Sequence, residues 1–268
     1  MEAVKRTARR AGPVGVSTVV VLAIVACFAA PASAGWQLAW SDEFNAAAWT
    51  APDGNKWVRE TGAGGWGNNE LQNYTTSTNN ARHDGAGSLI IEARRSGSSY
   101  TSARLKTQGK FSITYGKLEA RLAIPKGQGL WPAFWMLGTN IGSVGWPRCG
   151  EIDIMEHVNT NDTIYGTIHW DTNGYASYGG NTTAAPVTSF HTYMIDWNPW
   201  SINWYVDGRK NHEANILNNV NGTEEFQRPF FFLLNLAVGG NWPGSPNSST
   251  PFPAQYKIDY VRAYRWVN

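Results

Sequence analysis

Apolar residues recur along this chain in short bursts, most of them alternating with polar ones. The bursts include "SLIIEAR", "KFSITYGKLEARLAIP", "TIYGTIHW", "HTYMIDW", "INWYVDG", "FFFLLNLAV" and "YKIDYVRAYRW". A period of two places alternate side chains on opposite faces of a half-buried strand. Between the bursts stand Gly, Asn, Ser and Pro clusters such as "TGAGGWGNN", "RRSGSS" and "GGNWPGSPNSSTPFP". Many short strands separated by turn signals predict an all-β sandwich or barrel. A jelly-roll β-sandwich of two curved antiparallel sheets is the preferred architecture, with another sandwich as the alternative. "WNPWSINWYVDGRK" predicts a hairpin, with Asn198-Pro199 at one turn and Asp207-Gly208 at the other. No convincing amphipathic helix interrupts the series.

The first 34 residues follow a different pattern. A basic start, "MEAVKRTARR", leads into "VSTVVVLAIVACFAA" and then "PASA". That is the layout of a secretory signal peptide, with cleavage expected after Ala34. The alternatives are lipid attachment at Cys27 in "IVAC" and a twin-arginine signal at Arg9-Arg10. Residues 35–268 then form one expected domain, with no linker or repeat. The chain carries a net charge of +2, of which the leader contributes +3, leaving about −1 for the rest. Bulk charge therefore attracts neither nucleic acid nor an anionic membrane, and a secreted monomer is expected. Cys149 is the single cysteine beyond the leader, so no disulfide can form within residues 35–268.

Against this β background, "CGEIDIMEHV" (149–158) places Glu151, Asp153 and Glu156 among Ile152, Ile154, Met155 and Val158. Glu151 and Asp153 share a face of an extended strand, but regular alternation puts Met155 beside them and sends Glu156 to the other side. One extra residue, a β-bulge at Ile154-Met155, would return Glu156 to the carboxylate face. Three neighbouring carboxylates cannot all ionise freely, so at least one is held protonated beside an ionised partner. A retaining glycosidase needs that pairing, with carboxyl groups ~5–5.5 Å apart. The two Glu Cα atoms would lie about 13 Å apart by strand rise, so the side chains must lean together over a groove. All 14 tryptophans follow residue 34, more than a core readily buries. Partly exposed indoles would stack on sugar rings. In "LWPAFWML", Trp131, Ala133 and Trp135 share one face, and Phe134 and Met136 the other.

The stretch "EIDIME" resembles the signature of glycoside hydrolase family 16, in its laminarinase branch. So do "WSDEFN", "NNELQNYT", "SARLKTQGKFSITYGKLEARLAIPKGQGLWPAFWMLG", "GTIHWD", "FHTYMIDW", "NLAVGGNWPG" and "IDYVRAY". The resemblance spans Trp40 to Tyr264. It implies an endo-acting, retaining hydrolase of β-1,3-glucan, with Glu151 as nucleophile, Glu156 as acid/base and Asp153 as assisting carboxylate. Met155 favours β-1,3-glucan over the mixed-linkage substrates of the lichenase branch. A non-catalytic glucan-binding lectin on the same fold is the rival from another class. The resemblance places Trp131 and Trp135 in the sugar cleft and His169 near the carboxylates. It assigns Asn69, Glu70 and Arg104 to sugar binding, the Arg104 fork serving sugar oxygens. Asn241 and Trp242 could close one end of the groove, and Glu119 is a weaker match. No cofactor is expected for the chemistry. A structural calcium ion, bound by Glu43, the Gly87 carbonyl and Asp259, is implied by the family and fits hard-cation preferences.

Overall fold

The computed structural model describes residues 34–268, with positions 1 and 12 as isolated points. The leader expected at residues 1–34 therefore lies outside the described residues, save for its last position. The chain runs through β1 (Gly35–Asp42), β2 (Val58–Glu60), β3 (Gln72–Tyr74), β4 (Ala81–His83), β5 (Leu89–Ser96) and β6 (Ser99–Ser102). It continues through β7 (Arg104–Lys106), β8 (Gly116–Ala123), β9 (Leu130–Gly138), a one-turn helix α1 (Ile141–Val144) and β10 (Glu151–Glu156). Next come β11 (Thr163–Asp171), β12 (Tyr175–Thr183), β13 (His191–Trp197), β14 (Ser201–Val206) and β15 (Arg209–Asn215). Two short 3₁₀ turns precede β16 (Phe230–Val238) and β17 (Ala254–Val267). Among the described residues, no helix is long and apolar enough to cross a membrane.

These strands form the two-sheet jelly-roll sandwich that the alternation predicts. One sheet has seven strands in the order β12-β11-β10-β9-β16-β7-β2. The other has ten, built on the path β15-β14-β13-β8-β17-β5-β6-β3 with β1 beside β17 and β4 beside β5. Leu118, Leu122, Tyr193, Ile195 and Val261 of the larger sheet meet Phe134, Met136, Ile152, Phe232 and Leu234 of the smaller one in a single apolar cluster. Each such side chain contributes roughly 1.5–3 kcal/mol when fully buried.

Two departures from simple alternation have physical causes. Strand β16 is buried along its whole length and apolar but for Asn235, because both its faces are covered. Phe230, Phe232, Leu234 and Leu236 face the core, while Phe231 and Leu233 join Leu137 and Cys149 in a second cluster on the other side of the sheet. "KFSITYGKLEARLAIP" is not one strand: β8 begins only at Gly116, because Tyr115 takes a left-handed backbone (φ 62°) that breaks the extended run. The hairpin of β13, β14 and β15 forms as read from its turns. Asn198 Oδ1 accepts the Trp200 and Ser201 amides at the first, and Asp207 and Gly208 take positive φ at the second.

The bulge is present in β10. Against β9, Asp153 pairs with Trp135 and Met155 with Phe134, so Ile154 is the extra residue. Against β11 the register shifts between Asp153 and Glu156. Ile152, Ile154 and Met155 all enter the core cluster. Beside the interruption, the buried Trp204 indole of β14 crosses between the sheets and donates to the Asp153 carbonyl (2.8 Å). Replacing Trp204 by Phe would leave that carbonyl without its inter-sheet donor. We expect Trp204→Phe to lose about 1–3 kcal/mol of stability, read as a lower urea midpoint at unchanged slope. An unchanged midpoint would show that the bulge does not need this pin.

Candidate active site

A cleft of about 620 Å³ crosses the outer face of the seven-stranded sheet, and Glu151, Asp153 and Glu156 all line it. The loop before β10 delivers Glu151 at the first strand position. Gly150 makes the turn possible (φ 76°), and a Cβ there would lie 2.8 Å from Phe230 and 2.9 Å from Glu225. His169 of β11 pairs directly opposite Glu151. One oxygen each of Glu151 and Asp153 and one nitrogen of His169 lie within 4.8 Å of one another. His169 Nε2 is 3.0 Å from Asp153 Oδ2 and 3.8 Å from Glu151 Oε1.

Each glutamate is met by an indole. The Trp146 N–H donates to Glu151 (3.1 Å), and the Trp131 N–H donates to Glu156 (2.9 Å). Burial, and then the charge of Asp153, push Glu151 well above the usual carboxylate range, while His169 and Arg104 oppose the rise. Burial does the same to Asp153. Burial and the neighbouring Asp153 raise Glu156 to about 8, against the Trp131 hydrogen bond, which favours the ionised form. At neutral pH Glu156 therefore carries its proton. Glu151 and Asp153, both raised and with an oxygen each within 4.8 Å, cannot both ionise cheaply.

The structure groups most of the sequence-identified residues around this centre. Trp131, Ala133 and Trp135 line the cleft, whereas Phe134 and Met136 are in the core. Trp242 lines it too, its ring edge-on to Trp131 (5.5 Å) and Tyr165 (5.0 Å). Glu70 and Arg104 are lining residues, but the Arg104 fork is not free as expected. Its Nε donates to Glu60 Oε2 (2.6 Å), and its guanidinium is sandwiched between Trp66 (4.9 Å) and Trp135 (4.7 Å). Arg104 thus fixes two indoles through cation–π stacking. Asn69 and Asn241 are not among the lining residues. The Asn69 side-chain amide donates to Asn241 Oδ1 (2.8 Å), tying two loops together. Glu119 belongs to the ten-stranded sheet, near Tyr264 and Arg262.

Two of the three residues that the family resemblance assigns to calcium are engaged by arginines. Arg262 grips both oxygens of Glu43 (3.0 and 2.7 Å), and Arg121 holds Asp259 (2.7 Å). Guanidinium groups thus take up the Glu43 carboxylate and one Asp259 oxygen, hard donors of the kind a calcium ion prefers. Cys149 is buried, and burial raises its thiol to about 11, so it is no nucleophile.

Sequence reasoning missed Trp66, Trp146, Tyr165, Tyr175 and Asn235, all of which line the cleft. Asn235 carried a signal, as the single amide within "FFFLLNLAV". It accepts the Trp135 N–H (2.7 Å) and donates to Tyr74 Oη (3.1 Å), whose hydroxyl lies 3.4 Å from Glu70. The cleft floor is thereby wired to a buried polar network.

Residues 68–262 match the family described as Glycosyl hydrolases family 16. The chain is 45% identical to the Clotting factor G alpha subunit of Tachypleus tridentatus, over 86% of this chain but only 34% of that protein. It is 37% identical to the Glucan endo-1,3-beta-glucosidase of Cryptopygus antarcticus, over 91% of this chain and 97% of that one. The solved structure of the laminarinase from Rhodothermus marinus superposes with a TM-score of 0.80 at 43% identity, covering 88% of this chain and all of that one. A family match over most of the chain, a sandwich shared with a solved laminarinase and a bulged strand carrying the carboxylates agree: the chain belongs to family 16 of the glycosyl hydrolases.

Proposed function

We propose that the protein is a secreted, endo-acting hydrolase that cleaves internal β-1,3-glucosidic bonds of laminarin-like glucans with retention of configuration. The observation that carries this reading is a pair of glutamates on one cleft face, each hydrogen-bonded by an indole and set in unlike electrostatic surroundings. Glu151 sits beside Asp153 and His169, which suits an ionised nucleophile whose neighbour takes up the proton. Glu156 is held protonated by burial, which suits the acid.

In the first step a Glu151 oxygen forms a bond to the anomeric carbon as the glycosidic C–O bond breaks. Glu156 gives its proton to the departing oxygen. In the second, Glu156 takes a proton from water, the water oxygen bonds to the anomeric carbon, and the Glu151 carboxylate is released. The cleft lining extends to strands on either side of β10, from Arg104 on β7 to Tyr175 on β12, which supports attack within a chain. The β-1,3 preference is supported by Met155 in the signature and by the relatives' names. Export is supported by the pattern of the first 34 residues.

Reducing-sugar release from laminarin, compared with lichenan, tests the reading. Faster release from laminarin is expected; faster release from lichenan would overturn the linkage preference, and binding without release would make the protein a lectin. Proton NMR should show the β-anomer first, and an α-anomer would exclude retention. Glu151→Gln should abolish turnover, and Glu156→Gln should lower kcat by about 10²–10⁴-fold on a natural glucan, with binding retained in both.

The pH profile follows from the acid. kcat/KM should fall as pH rises through about 8, where Glu156 loses its proton. Trp131→Phe removes a hydrogen bond that stabilises ionised Glu156, so the fall should move to higher pH. A move to lower pH would contradict the assignment of Glu156 as the acid.

A further inference from the structure

Tyr175 stands at the start of the edge strand β12, on the rim of the cleft and more than half exposed. Its position has no counterpart in the family signature quoted above, yet it touches both groups that approach Glu151. Its hydroxyl lies 2.8 Å from His169 Nδ1, and its ring stacks on that imidazole at 5.8 Å and 21°. It also meets the Trp146 ring at 5.4 Å and 34°, and that ring lies 6.4 Å from the His169 imidazole. Trp146 in turn donates to Glu151.

A neutral imidazole has one N–H, and the group bonded to one nitrogen decides which end carries it. His169 Nε2 faces Asp153 Oδ2, a wholly buried oxygen that has no aligned hydrogen bond among the described residues. When the Tyr175 hydroxyl donates to Nδ1, the hydrogen must sit on Nε2, on the ring edge nearest the carboxylates. Without that hydroxyl, Nδ1 could carry the hydrogen toward water and turn a lone pair onto Asp153.

We propose that Tyr175 is a positioning residue of the active site: its hydroxyl fixes His169 as the Nε2–H tautomer, with that N–H on the side of the Glu151–Asp153 pair, and its ring seats Trp146 against Glu151. The inference rests on the hydrolase reading above. The titratable and charged groups facing the pair are Glu156 on the same strand, His169 on β11 and Arg104 on β7, and a change at Tyr175 leaves all three in place.

The test is Tyr175→Phe in the full chain, which keeps the ring and removes one oxygen. With laminarin, kcat should fall about 5–10-fold, the worth of one hydrogen bond, while KM moves less than about twofold. The acid limb of the kcat/KM profile should move to higher pH, because an ionised Glu151–Asp153 pair loses its steady donor. ¹⁵N NMR of the imidazole should show the Nε2–H form in the wild type and a tautomer mixture in the variant. Tyr178→Phe, an exposed change on the same strand outside the cleft lining, should match the wild type. An unchanged kcat and acid limb, a rise in KM alone, or an Nδ1–H tautomer in the wild type would each overturn the inference. Should the wild type release no sugar from laminarin, the hydrolase reading falls, and the tautomer measurement still decides the role of Tyr175.

Discussion

A single extra residue in β10 sets the geometry on which everything in the cleft depends. Strand side chains alternate faces without exception, so Glu156 could not join Glu151 and Asp153 unless the ladder slipped by one. Ile154 is that slip, and it is stabilised on both sides. Ile154 and Met155 both turn into the apolar interior, where regular alternation would allow only one of them. The backbone beside the slip accepts the Trp204 indole from the opposite sheet. The bulge is thus a joint between the two layers of the sandwich, held by inter-sheet packing rather than by its own strand.

The same placement gives the two glutamates unlike surroundings. Each receives an indole N–H, so that donor alone cannot distinguish them. The difference lies in the second neighbour. Glu151 has His169 opposite and Asp153 on its own face, giving it both a positive influence and a place for a proton to go. Glu156 has burial and the nearby charge of Asp153, both of which favour its protonated form. Asp153 raises both glutamates and is itself the most buried carboxylate of the three.

Much of this was legible in the sequence because it depends on periodicity. The parity of Glu151, Asp153 and Glu156 required the bulge, and the parity of Trp131 and Trp135 assigned their face. The turns at Asn198-Pro199 and Asp207-Gly208 carried their own backbone chemistry. Pairings between distant segments were not legible. Asn69 and Asn241 are 172 residues apart, and nothing in either loop says that their amides meet. Arg104 reads as a free donor fork until β2 brings Glu60 against it. Nor does the sequence say that the ten-stranded sheet sets Arg262 beside Glu43 and Arg121 beside Asp259. Trp146 and Tyr175 follow no strand pattern that would mark them, since one lies in a loop and the other at the end of a Gly-rich edge strand.

The site is held against its own electrostatics. Glu156 is raised from 4.5 to about 8, so between those pH values the folded chain keeps a proton that the unfolded chain releases. Native stability from this group is therefore present at low pH and lost as pH rises through about 8; Asp153 and Glu151, raised in the same direction, add to the loss. An active centre of this kind cannot hold itself together. The apolar cluster beneath it offsets the cost, with Ile152, Ile154 and Met155 of the same strand packed against Phe134 and Ile168. Residues that alternate with the carboxylates keep the carboxylates in place, and one short stretch of sequence serves both the chemistry and the core that sustains it.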